Sequence, residues 1–474
     1  MKKRLLFLVY IGILLIPFTG CQKDHLDDNA KLEFSSTEVT FDTVFTSIGS
    51  VTKNFRVYNP YGFDLKVDID LAGGKFSPYS INVDGVAGTS FHDVEIPAHD
   101  SIFVHVKVNI DPTDQNSPFL VTDSVIFRHG NVIQDVDLVA FGQDANFIVA
   151  DAGSGSLRYK IVAHEHEVVH WTNEKPYVIY GGYAAVDSLG TLIIDPGTTI
   201  YFHSNAGLWI YRYGNIQAVG TQDEPIVFRG DKLSSWFATD YAQWDRIWIN
   251  ESNIDNHFEN VEITNSFIGL QVESLSEVLN GRTILRNCHI HNTYNSGVLA
   301  RASQIDAENC IFSNNGGASL ELHIGQYDFR HVTVANYFSQ STRKQSALEL
   351  TDYYSDGYTS FIGNTVAAFS NSIIYGSYAF EDEVNIDSYG SSDVSVAASF
   401  RNCLIRHTQS LSCFENCIRN QDPMFVAKSG QDYHVKEGSP AIDAGLQSLG
   451  VQYDYEGTLR DNHPDIGAFE WAPR

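Results

Sequence analysis

The sequence predicts an all-β protein in which an N-terminal β-sandwich is followed by a β-solenoid with a C-terminal cap. Two observations support this prediction. Short apolar runs separated by turn clusters fill residues 32–145, as in an antiparallel sandwich. A pattern centred on asparagine then recurs in the second half with a basic spacing of 22 residues, as expected of stacked coils. The 474 residues are enough for two or three domains.

The N-terminus has the features of a processed segment. Residues 2–4 are basic and residues 5–18 are apolar, a stretch shorter than the roughly 20 residues that a membrane span needs. It ends in Phe-Thr-Gly followed by Cys21, which resembles a bacterial lipobox. We therefore expect residues 1–20 to be a lipoprotein signal peptide and Cys21 to carry the lipid that anchors the chain in the membrane. The alternative is an ordinary signal peptide with a chance cysteine.

A charged tether is predicted for residues 21–31. Residues 22–28 read QKDHLDD, which resembles the signal that carries some Gram-negative lipoproteins to the outer face of the outer membrane. A merely solvated tether explains the run equally well. The expected location is the outer membrane with display on the cell surface, and periplasmic display stays open.

The charge balance argues against nucleic acid as a partner. The whole chain has a formal charge of −27. Without residues 1–20, 28 Lys and Arg face 58 Asp and Glu, a formal charge of −30. Such a surface repels nucleic acid and disfavours a polyanionic substrate. Five cysteines remain after Cys21, an odd number that cannot form a complete set of internal disulfides.

The first predicted domain covers residues 32–145 and its role is that of a spacer or docking module. Residues 103–108 alternate apolar and polar side chains, as a sheet with one face in water does. About seven short strands suggest an immunoglobulin-like β-sandwich, and residues 41–59 resemble the opening of such domains in bacterial surface proteins. Residues 146–180 are expected to form a junction.

The repeated pattern predicts a corner at each asparagine. Its copies begin at residues 258, 285, 307, 369 and 400, His331 replaces the asparagine in the copy from 329, and a truncated copy begins at 414. In FRNCLI, a left-handed Asn402 would let Phe400 and Cys403 both point inward, and Asn tolerates that conformation. The predicted structural ladder of corner asparagines comprises Asn260, Asn287, Asn309, Asn371, Asn402 and Asn416.

The cysteine that follows several corner asparagines is interpreted as a core residue. Small residues suit positions where neighbouring coils approach closely, and a free cysteine behaves as a small buried hydrophobe. We therefore expect Cys288, Cys310 and Cys403 to be buried and unliganded.

These motifs identify a resemblance: residues 181–435 are similar to a right-handed parallel β-helix of the pectin-lyase-like superfamily. Residues 192–200 and 218–228 resemble the first coils of such proteins. Residues 439–445 and 465–470 resemble their common C-terminal segment, so residues 436–474 are assigned to the cap. The resemblance implies a fold, and this fold hosts many activities.

The residues give no clear sign of catalysis. The polygalacturonase-like relatives carry Asn-Thr-Asp, Asp-Asp and Gly-His-Gly motifs, none of which occurs here. Lyase relatives need a basic residue and usually Ca²⁺ held by aspartates. Arg343 and Lys344 form the only basic doublet of the repeat region, and we interpret them as a solvated loop pair. An enzyme remains an alternative, because such sites are assembled from different coils.

Insertions in the repeat are the predicted binding loops. On a solenoid, insertions in adjacent coils tend to project from one face, which is often the binding face. Tyrosines there would stack on sugar rings, and carboxylates would bind hydroxyls or a cation. The alternative is that they are solvated loops. The candidate residues are Tyr353, Tyr354, Asp356, Tyr358, Asp382, Glu383 and Tyr389.

No cofactor or metal is expected. On one strand His164, His166 and His170 would share a face, but the last two would lie roughly 13 Å apart, so a polar strand is favoured over a metal site. Four C-terminal aspartates could bind Ca²⁺, although turn formation around Arg460 is favoured. They are Asp443, Asp454, Asp461 and Asp465.

The sequence therefore favours a surface lipoprotein whose β-helix wall binds a glycan or a protein partner without catalysis. A polysaccharide lyase or glycoside hydrolase is one alternative. A structural subunit of an outer-membrane assembly is another.

Overall fold

The computed structural model describes residues 28–45, 50, 52–110, 119–155, 157–232, 237–274, 280–355, 357–378 and 382–472. Within these ranges the chain forms strands and short 3-10 turns, such as Gly74–Phe76 and Gln447–Leu449, so the predicted all-β class is confirmed. No helix in the described ranges is long and apolar enough to span a membrane. The predicted signal peptide and Cys21 lie outside these ranges. Two compact units, Met1–Gln143 and Asp144–Arg474, make up the chain.

The described residues of the first unit form ten strands in two five-stranded sheets. One sheet has the order β1-β3-β8-β5-β6 and the other β2-β10-β9-β4-β7. Neighbouring strands are antiparallel except β2 and β10, which are parallel. The strands are β1 Glu33–Phe34, β2 Glu38–Phe45, β3 Lys53–Tyr58, β4 Leu65–Leu71, β5 Tyr79–Val83, β6 Val86–Gly88, β7 Ser90–Ile96, β8 Ser101–Val108, β9 Phe119–His129 and β10 Val132–Gln143.

The two sheets of the first unit share one apolar core. Val104 and Val106 of β8 are buried, while Phe103 on the same strand is exposed, as the alternation of residues 103–108 predicts. The end of the predicted tether belongs to this unit, because Ala30 is buried in its core. Asp28 accepts a backbone hydrogen bond from Asn131 (2.8 Å).

The second unit is a stack of coils whose strands fall into three sets. The lateral strands are Asn146–Val149, Tyr177–Tyr180, Thr199–Phe202, Ile226–Gly230, Val261–Thr264, His289–His291, Ile311–Ser313, Thr333–Asn336, Ile373–Gly376, Leu404–Ile405 and Ile418–Arg419. The corner strands, most of which end just before a corner residue, are Val168–Trp171, Thr191–Ile194, Asn215–Val219, Asn256–Glu259, Thr283–Arg286, Thr365–Ser370, Val396–Arg401 and Phe414–Glu415.

The third set is called the wall strands. They are Leu157–Ala163, Tyr183–Val186, Gly207–Ile210, Ile247–Asn250, Leu270–Glu273, Leu348–Thr351 and Val384–Asp387. Two long strands, Val298–Glu308 and Leu320–Arg330, supply a wall strand with their first half and a corner strand with their second. Three antiparallel pairs are added to the stack: Ala152–Ser154 with Leu157–Ala163, Tyr353–Ser355 with Ser360–Ile362, and Phe425–Ala427 with Asp432–Val435.

Each set pairs in parallel from one coil to the next. The lateral strands form one eleven-stranded sheet, and the corner and wall strands share an eighteen-stranded sheet. The first lateral strand, Asn146–Val149, already pairs in register with Tyr177–Tyr180. The junction expected over residues 146–180 is therefore part of the stack. The predicted start at 181 is too late because these early coils lack the corner asparagine.

Like residues stack on like inside the coils. Phe329, Phe369 and Phe400 follow one another in register with ring centroids 4.8 and 5.2 Å apart, and all are fully buried. Burying one such ring stabilises the fold by about 1.5–3 kcal/mol. The repeated phenylalanine of the sequence pattern is thus the core residue of the corner strand.

The corner asparagines adopt the left-handed conformation. Their φ angles lie between 49° and 52°, and His331 has a φ of 52°. Phe400 and Cys403 both enter the core, as a left-handed residue between them requires. Cys288, Cys310 and Cys403 are buried, with at most 1% of their surface exposed.

The C-terminal segment, residues 420–472, lies along the side of the stack instead of closing it as the predicted cap would. It covers the outer face of the lateral strands, where Ile311 and Ile373 pack with Tyr433 and Ile466. Three corner amides donate to its backbone carbonyls: Asn309 to Tyr453 (2.7 Å), Asn371 to Leu446 (2.9 Å) and Asn402 to Ala444 (3.0 Å). The corner asparagines thus bind a segment that the sequence pattern did not connect to them.

Candidate functional site

The outward side chains of the wall strands form two columns that run across successive coils. Successive members of a column occupy directly paired positions, and paired strands lie about 4.8 Å apart. The first column is Ala185, Trp209, Trp248, Gln271, Leu299, Glu321, Glu349 and Asn385. The second column is Asn250, Glu273, Arg301, His323, Thr351 and Asp387. These two columns are called the wall below.

Two tryptophans follow Ala185 in the first column of the wall. The rings of Trp209 and Trp248 are nearly parallel, with centroids 5.5 Å apart, and both are half-buried. Each indole nitrogen is held by the second column: Trp209 donates to Asn250 Oδ1 (2.6 Å) and Trp248 to Glu273 Oε1 (2.7 Å). Tyr183 packs against both indoles. The result is a fixed aromatic surface.

Polar side chains follow the tryptophans on the next coils. Arg246 donates to Asp245 through Nε (3.0 Å) and Nη2 (2.9 Å), and also donates to Gln271. Gln271 in turn donates to Glu273 Oε2 (2.8 Å), and Arg301 Nη1 lies 3.6 Å from that oxygen. The network holds these groups in defined positions, as recognition of a polar ligand requires.

Two glutamates on adjacent coils, Glu321 and Glu349, form the next part of the wall. Glu321 accepts hydrogen bonds from Ser296 Oγ (2.5 Å) and pairs with His323 Nε2 (3.2 Å). Glu349 accepts from Asn385 Nδ2 (2.6 Å) and from the backbone nitrogen of Ser346 (2.9 Å). Both carboxylates are only partly exposed.

The environments of these two glutamates differ electrostatically. Burial opposes ionisation of Glu321, but the hydrogen bonds from His323 and Ser296 and the nearby Arg301 charge outweigh it and lower its pKa. Burial raises the pKa of Glu349, and the neighbouring charges of Glu321 and Asp387 add to that rise. One carboxyl is therefore biased towards the ionised form and its neighbour towards the protonated form.

A cluster of aromatic rings lies beside the first part of the wall. Phe267 and Tyr294 stack with centroids 5.1 Å apart, and Tyr241 lies 5.4 Å from both Tyr294 and Phe338. The guanidinium of Arg246 is 6.0 Å from the Phe267 ring, which places the cluster next to the polar network. Tyr294 is 50% exposed, so the cluster presents aromatic surface to solvent.

Part of the predicted binding loop lies at the other end of the wall. Tyr353 donates its hydroxyl to Asp387 Oδ2 (2.6 Å), and its ring lies 5.8 Å from that of Tyr389, which is 55% exposed. Tyr358 is 98% exposed. Asp356 lies outside the described residues.

The structure uses Tyr354 in packing instead of ligand binding. Its ring is 8% exposed and stacks on Phe361 at 4.8 Å, against Ala302 and Ile324. The hairpin that carries it is thereby fixed to the turns that follow two wall strands.

The prediction that Arg343 lies in a solvated loop is wrong, and Glu383 is its buried partner. Arg343 is 5% exposed and Glu383 is fully buried. The guanidinium donates to both carboxylate oxygens, at 2.6 and 2.7 Å. Two backbone nitrogens, of Ala347 and Tyr378, donate to the same carboxylate. This ion pair joins two insertions, so Glu383 is not available to a ligand.

Asp382, another predicted binding residue, serves a turn. Its carboxylate accepts hydrogen bonds from the backbone nitrogen (2.6 Å) and the hydroxyl (3.1 Å) of Thr408.

The histidines and C-terminal aspartates also serve the fold. His166 has a φ of 61° in a turn that separates His164 from the strand carrying His170, so the three do not share a strand face. Asp454 accepts backbone hydrogen bonds from Glu456 and Thr458, and Asp465 accepts from Asp443 and Trp471. Among the described residues no group of three or more His, Cys, Asp or Glu side chains could hold a metal ion.

The wall was not predicted from the sequence, although a signal was present. A tripeptide with an outward residue between two core residues recurs as LWI from 208, IWI from 247, LQV from 270, LEL from 320, LEL from 348 and VNI from 384. Its middle letters are six of the eight residues in the first column of the wall. The pattern is short, its spacing is broken by insertions, and the asparagine pattern is more conspicuous.

Comparisons with known proteins give only weak likenesses. No protein-family model and no curated protein sequence matches the chain. The catalytic domain of a GH87 alpha-1,3-glucanase in complex with nigerose aligns over 78% of this chain and 88% of that chain, with 11% identity and a TM-score of 0.15. A family 123 glycoside hydrolase from Clostridium perfringens aligns over 25% of this chain and 30% of that chain, with 6% identity and a TM-score of 0.19.

A third likeness is to the CooA pilin subunit from enterotoxigenic Escherichia coli, over 24% of this chain and 97% of that chain, with 10% identity and a TM-score of 0.18. TM-scores this low carry no argument, so the function proposed below rests on the geometry of the wall.

Proposed function

We propose that the wall binds a neutral glycan. The observation that carries this proposal is the order of side chains in the first column: two fixed indoles, then the buried Gln271 and Leu299, and then the partly exposed carboxylates of two adjacent coils. Sugar rings offer apolar C–H faces to aromatic side chains and hydroxyls to amides and carboxylates. A column of paired positions repeats every 4.8 Å or so, so an extended chain of sugars would meet several groups at once.

A neutral glycan fits better than an acidic one. Glu273, Glu321 and Asp387 supply more negative charge to the wall than Arg301 offsets. The formal charge of the chain is −27. A polyuronate or other polyanion would be repelled both locally and at a distance.

The other parts of the chain would display the wall at the cell surface. We propose that Cys21 is the lipidated residue that holds the chain in the outer membrane, facing the cell exterior. The first unit would be an immunoglobulin-like spacer, which its two sheets and shared core support. The second would be a right-handed parallel β-helix, which its parallel ladders and left-handed corners support.

Affinity electrophoresis with one wall variant tests glycan binding. The mature chain is run in gels containing soluble starch, laminarin, xyloglucan or galactomannan, with polygalacturonate as the anionic comparison. We expect at least one neutral polysaccharide to retard the protein and polygalacturonate not to. Trp248→Ala should weaken that binding at least tenfold, or about 1.4 kcal/mol.

The matched control is Tyr180→Ala. Tyr180 is 39% exposed and stacks on His203 (4.4 Å), away from the wall strands. This variant should bind as tightly as the parent, and thermal unfolding should show that both variants are folded. The proposal fails if every neutral polysaccharide is ignored, or if the two variants lose equal affinity.

A further inference from the structure

Two cysteines meet where the stack of coils ends. Cys403 follows the corner residue Asn402, and Cys417 follows the corner residue Asn416 one coil later. We propose that Cys403 and Cys417 are a redox-active dithiol, which reacts with a small-molecule disulfide and is thereby converted to a disulfide that fastens the last coil. This chemistry is independent of glycan binding.

The backbone places the two cysteines side by side on neighbouring coils. The strands before and after them pair in parallel with the same offset, and the backbone nitrogen of Ile418 donates to the carbonyl of Cys403 (2.8 Å). Neighbouring strands lie about 4.8 Å apart, which is within the range of about 4.4–6.8 Å that separates the Cα atoms of a disulfide. The thiols of Cys403 and Cys417 are hydrogen-bonded to each other.

Cys417 is accessible because it lies in the last coil. The strands of this coil, Phe414–Glu415 and Ile418–Arg419, end the two large sheets of the described residues. The C-terminal segment packs along the side of the stack and does not close this end. Cys417 is therefore partly exposed, whereas Cys403 on the preceding coil is fully buried. A reagent can reach one thiol of the pair directly and not the other.

A second pair of cysteines in the same core position is an internal comparison. Cys288 and Cys310 also follow corner asparagines of adjacent coils, and their thiols are also hydrogen-bonded to each other. Further coils lie on both sides of this pair, and each of its cysteines is at most 1% exposed. The two pairs thus have the same arrangement and differ in access.

The surroundings of the two thiols assign the attacking role to Cys417. The hydrogen bond from Cys403 lowers the pKa of the Cys417 thiol, whereas burial raises the pKa of the Cys403 thiol well above its ordinary value. The thiolate is the reactive form of cysteine, and Cys417 is also the thiol that a reagent can reach. Cys403 is then the resolving thiol.

The exchange proceeds in two balanced steps. The Cys417 thiol gives its proton to solvent, and the thiolate sulfur bonds to one sulfur of a small disulfide such as oxidised glutathione, whose other half leaves as a thiolate. The Cys403 thiol then loses its proton, and its sulfur displaces the bound glutathione from Cys417. The two cysteines lose two electrons and two protons, and the reagent is reduced to two thiols.

The disulfide would stabilise the least supported part of the stack. A coil with a neighbour on one side only opens more easily than an inner coil. A bond between Cys403 and Cys417 closes a short loop and so removes open states of the last coil. We expect amide hydrogen exchange of residues 414–419 to slow roughly tenfold on oxidation, and to return to its first rate on reduction.

Peptide mapping locates the bond. The mature chain carrying Cys21→Ser is treated in its native state with oxidised glutathione, then unfolded, alkylated and digested. Trypsin and Glu-C together put Cys403, Cys413 and Cys417 on separate peptides, residues 402–406, 407–415 and 416–419. We expect the first and third peptides to be joined by a disulfide. The cysteines of the inner pair should be recovered alkylated, because they stay reduced until the protein unfolds.

Serine variants separate the roles of the thiols. Serine fits this position of a coil, since Ser372 follows the corner residue Asn371 and is fully buried. Cys403→Ser should trap Cys417 as a mixed disulfide with one glutathione, which forms roughly tenfold faster than an adduct at Cys413, whose pKa is raised by burial. Cys417→Ser should leave Cys403 unmodified. Cys413→Ser is the matched control and should still form the bond.

The other outcomes overturn the dithiol. A free thiol at Cys417 after treatment would do so, as would a bond between Cys417 and Cys413. Oxidation of Cys288 and Cys310 at the same rate would show that access does not distinguish the two pairs. A bond that forms without any change in hydrogen exchange would overturn its fastening of the last coil. Each result is read from peptide masses, whether or not a polysaccharide binds to the wall.

Discussion

Asparagine at a coil corner meets a backbone requirement and a side-chain requirement at once. Asn371 has a φ of 49°, a conformation that costs most L-residues roughly 1–2 kcal/mol. Its amide also exchanges two hydrogen bonds with Leu446 of the C-terminal segment, at 2.7 and 2.9 Å. Glycine would satisfy only the backbone, and the other small residues would satisfy neither.

Substitution of Asn371 separates these two contributions. Asn371→Gly should lose the hydrogen bonds and destabilise the protein by about 1–3 kcal/mol. Asn371→Ala should lose the same bonds and also pay the left-handed strain, so its unfolding free energy should be about 1 kcal/mol lower still. Urea denaturation measures both. A glycine variant as stable as the parent, or an alanine variant more stable than the glycine one, would contradict this account.

The left-handed conformation of the corner residues could be predicted from the sequence. The left-handed angle follows from parity, because Phe400 and Cys403 can share the core only if the residue between them breaks the alternation. The wall glutamates could not be predicted in the same way. Glu321 and Glu349 gain meaning only once the register of their two coils is known, and an insertion separates them in the chain.

At the level of the element, the two insertions around Arg343 and Glu383 behave as one unit. Arg343 and Glu383 form a buried ion pair although they are 40 residues apart in sequence, so no local sequence pattern could reveal it. A basic doublet is ordinarily a solvated feature, and Lys344 is indeed exposed. Arg343 is buried, and its two Nη atoms donate to the Glu383 carboxylate and to the carbonyls of Asn336 and Gln345.

Removal of one partner of the Arg343–Glu383 ion pair should lower the free energy of unfolding. Glu383→Ala leaves a buried guanidinium without its carboxylate and should cost about 3–5 kcal/mol in unfolding free energy. The combined change Arg343→Met with Glu383→Leu should recover most of that loss, because apolar residues of similar volume replace both charges. Denaturation midpoints give the comparison, with Lys344→Ala as a control of unchanged stability. A loss below 1 kcal/mol for Glu383→Ala would refute the structural role.

The stability of the protein should depend on pH through Asp465 of the C-terminal segment. Burial raises the pKa of this carboxyl from its ordinary value of 3.8 to about 6. Between these two values the folded state holds a proton that the unfolded state has released, so stability from this group falls as pH rises from about 4 to 6. Asp465→Asn has no proton to lose.

Urea denaturation of the parent and Asp465→Asn at pH 4, 5 and 6 tests this dependence. The difference in unfolding free energy between the two should shift against the parent as pH rises. Other carboxyls titrate in both proteins and cancel in that difference. A constant difference over the window would show that Asp465 ionises normally in the folded state.

For the whole molecule, the sequence predicted the all-β class but not how the C-terminal segment is used. The division between Gln143 and Asp144 falls within two residues of the expected sandwich boundary at 145. The C-terminal residues were expected to cover the last coil because end caps are a general need of solenoids. Their apolar residues instead match Ile311, Ile373 and Leu404, whose outward position emerges only from the register of the lateral strands.

The placement of this segment limits how such a protein can evolve. Solenoids commonly lengthen when a coil is duplicated, since each coil needs only its neighbours. Here three corner side chains, those of Asn309, Asn371 and Asn402, donate hydrogen bonds to the C-terminal segment. The acceptors are the backbone carbonyls of Tyr453, Leu446 and Ala444. A coil gained or lost between these corners would move them by about 4.8 Å per coil relative to the C-terminal segment, and the hydrogen bonds would be lost. The C-terminal segment therefore fixes the number of coils that it contacts, and variation in length should be confined to the other coils and to the loops.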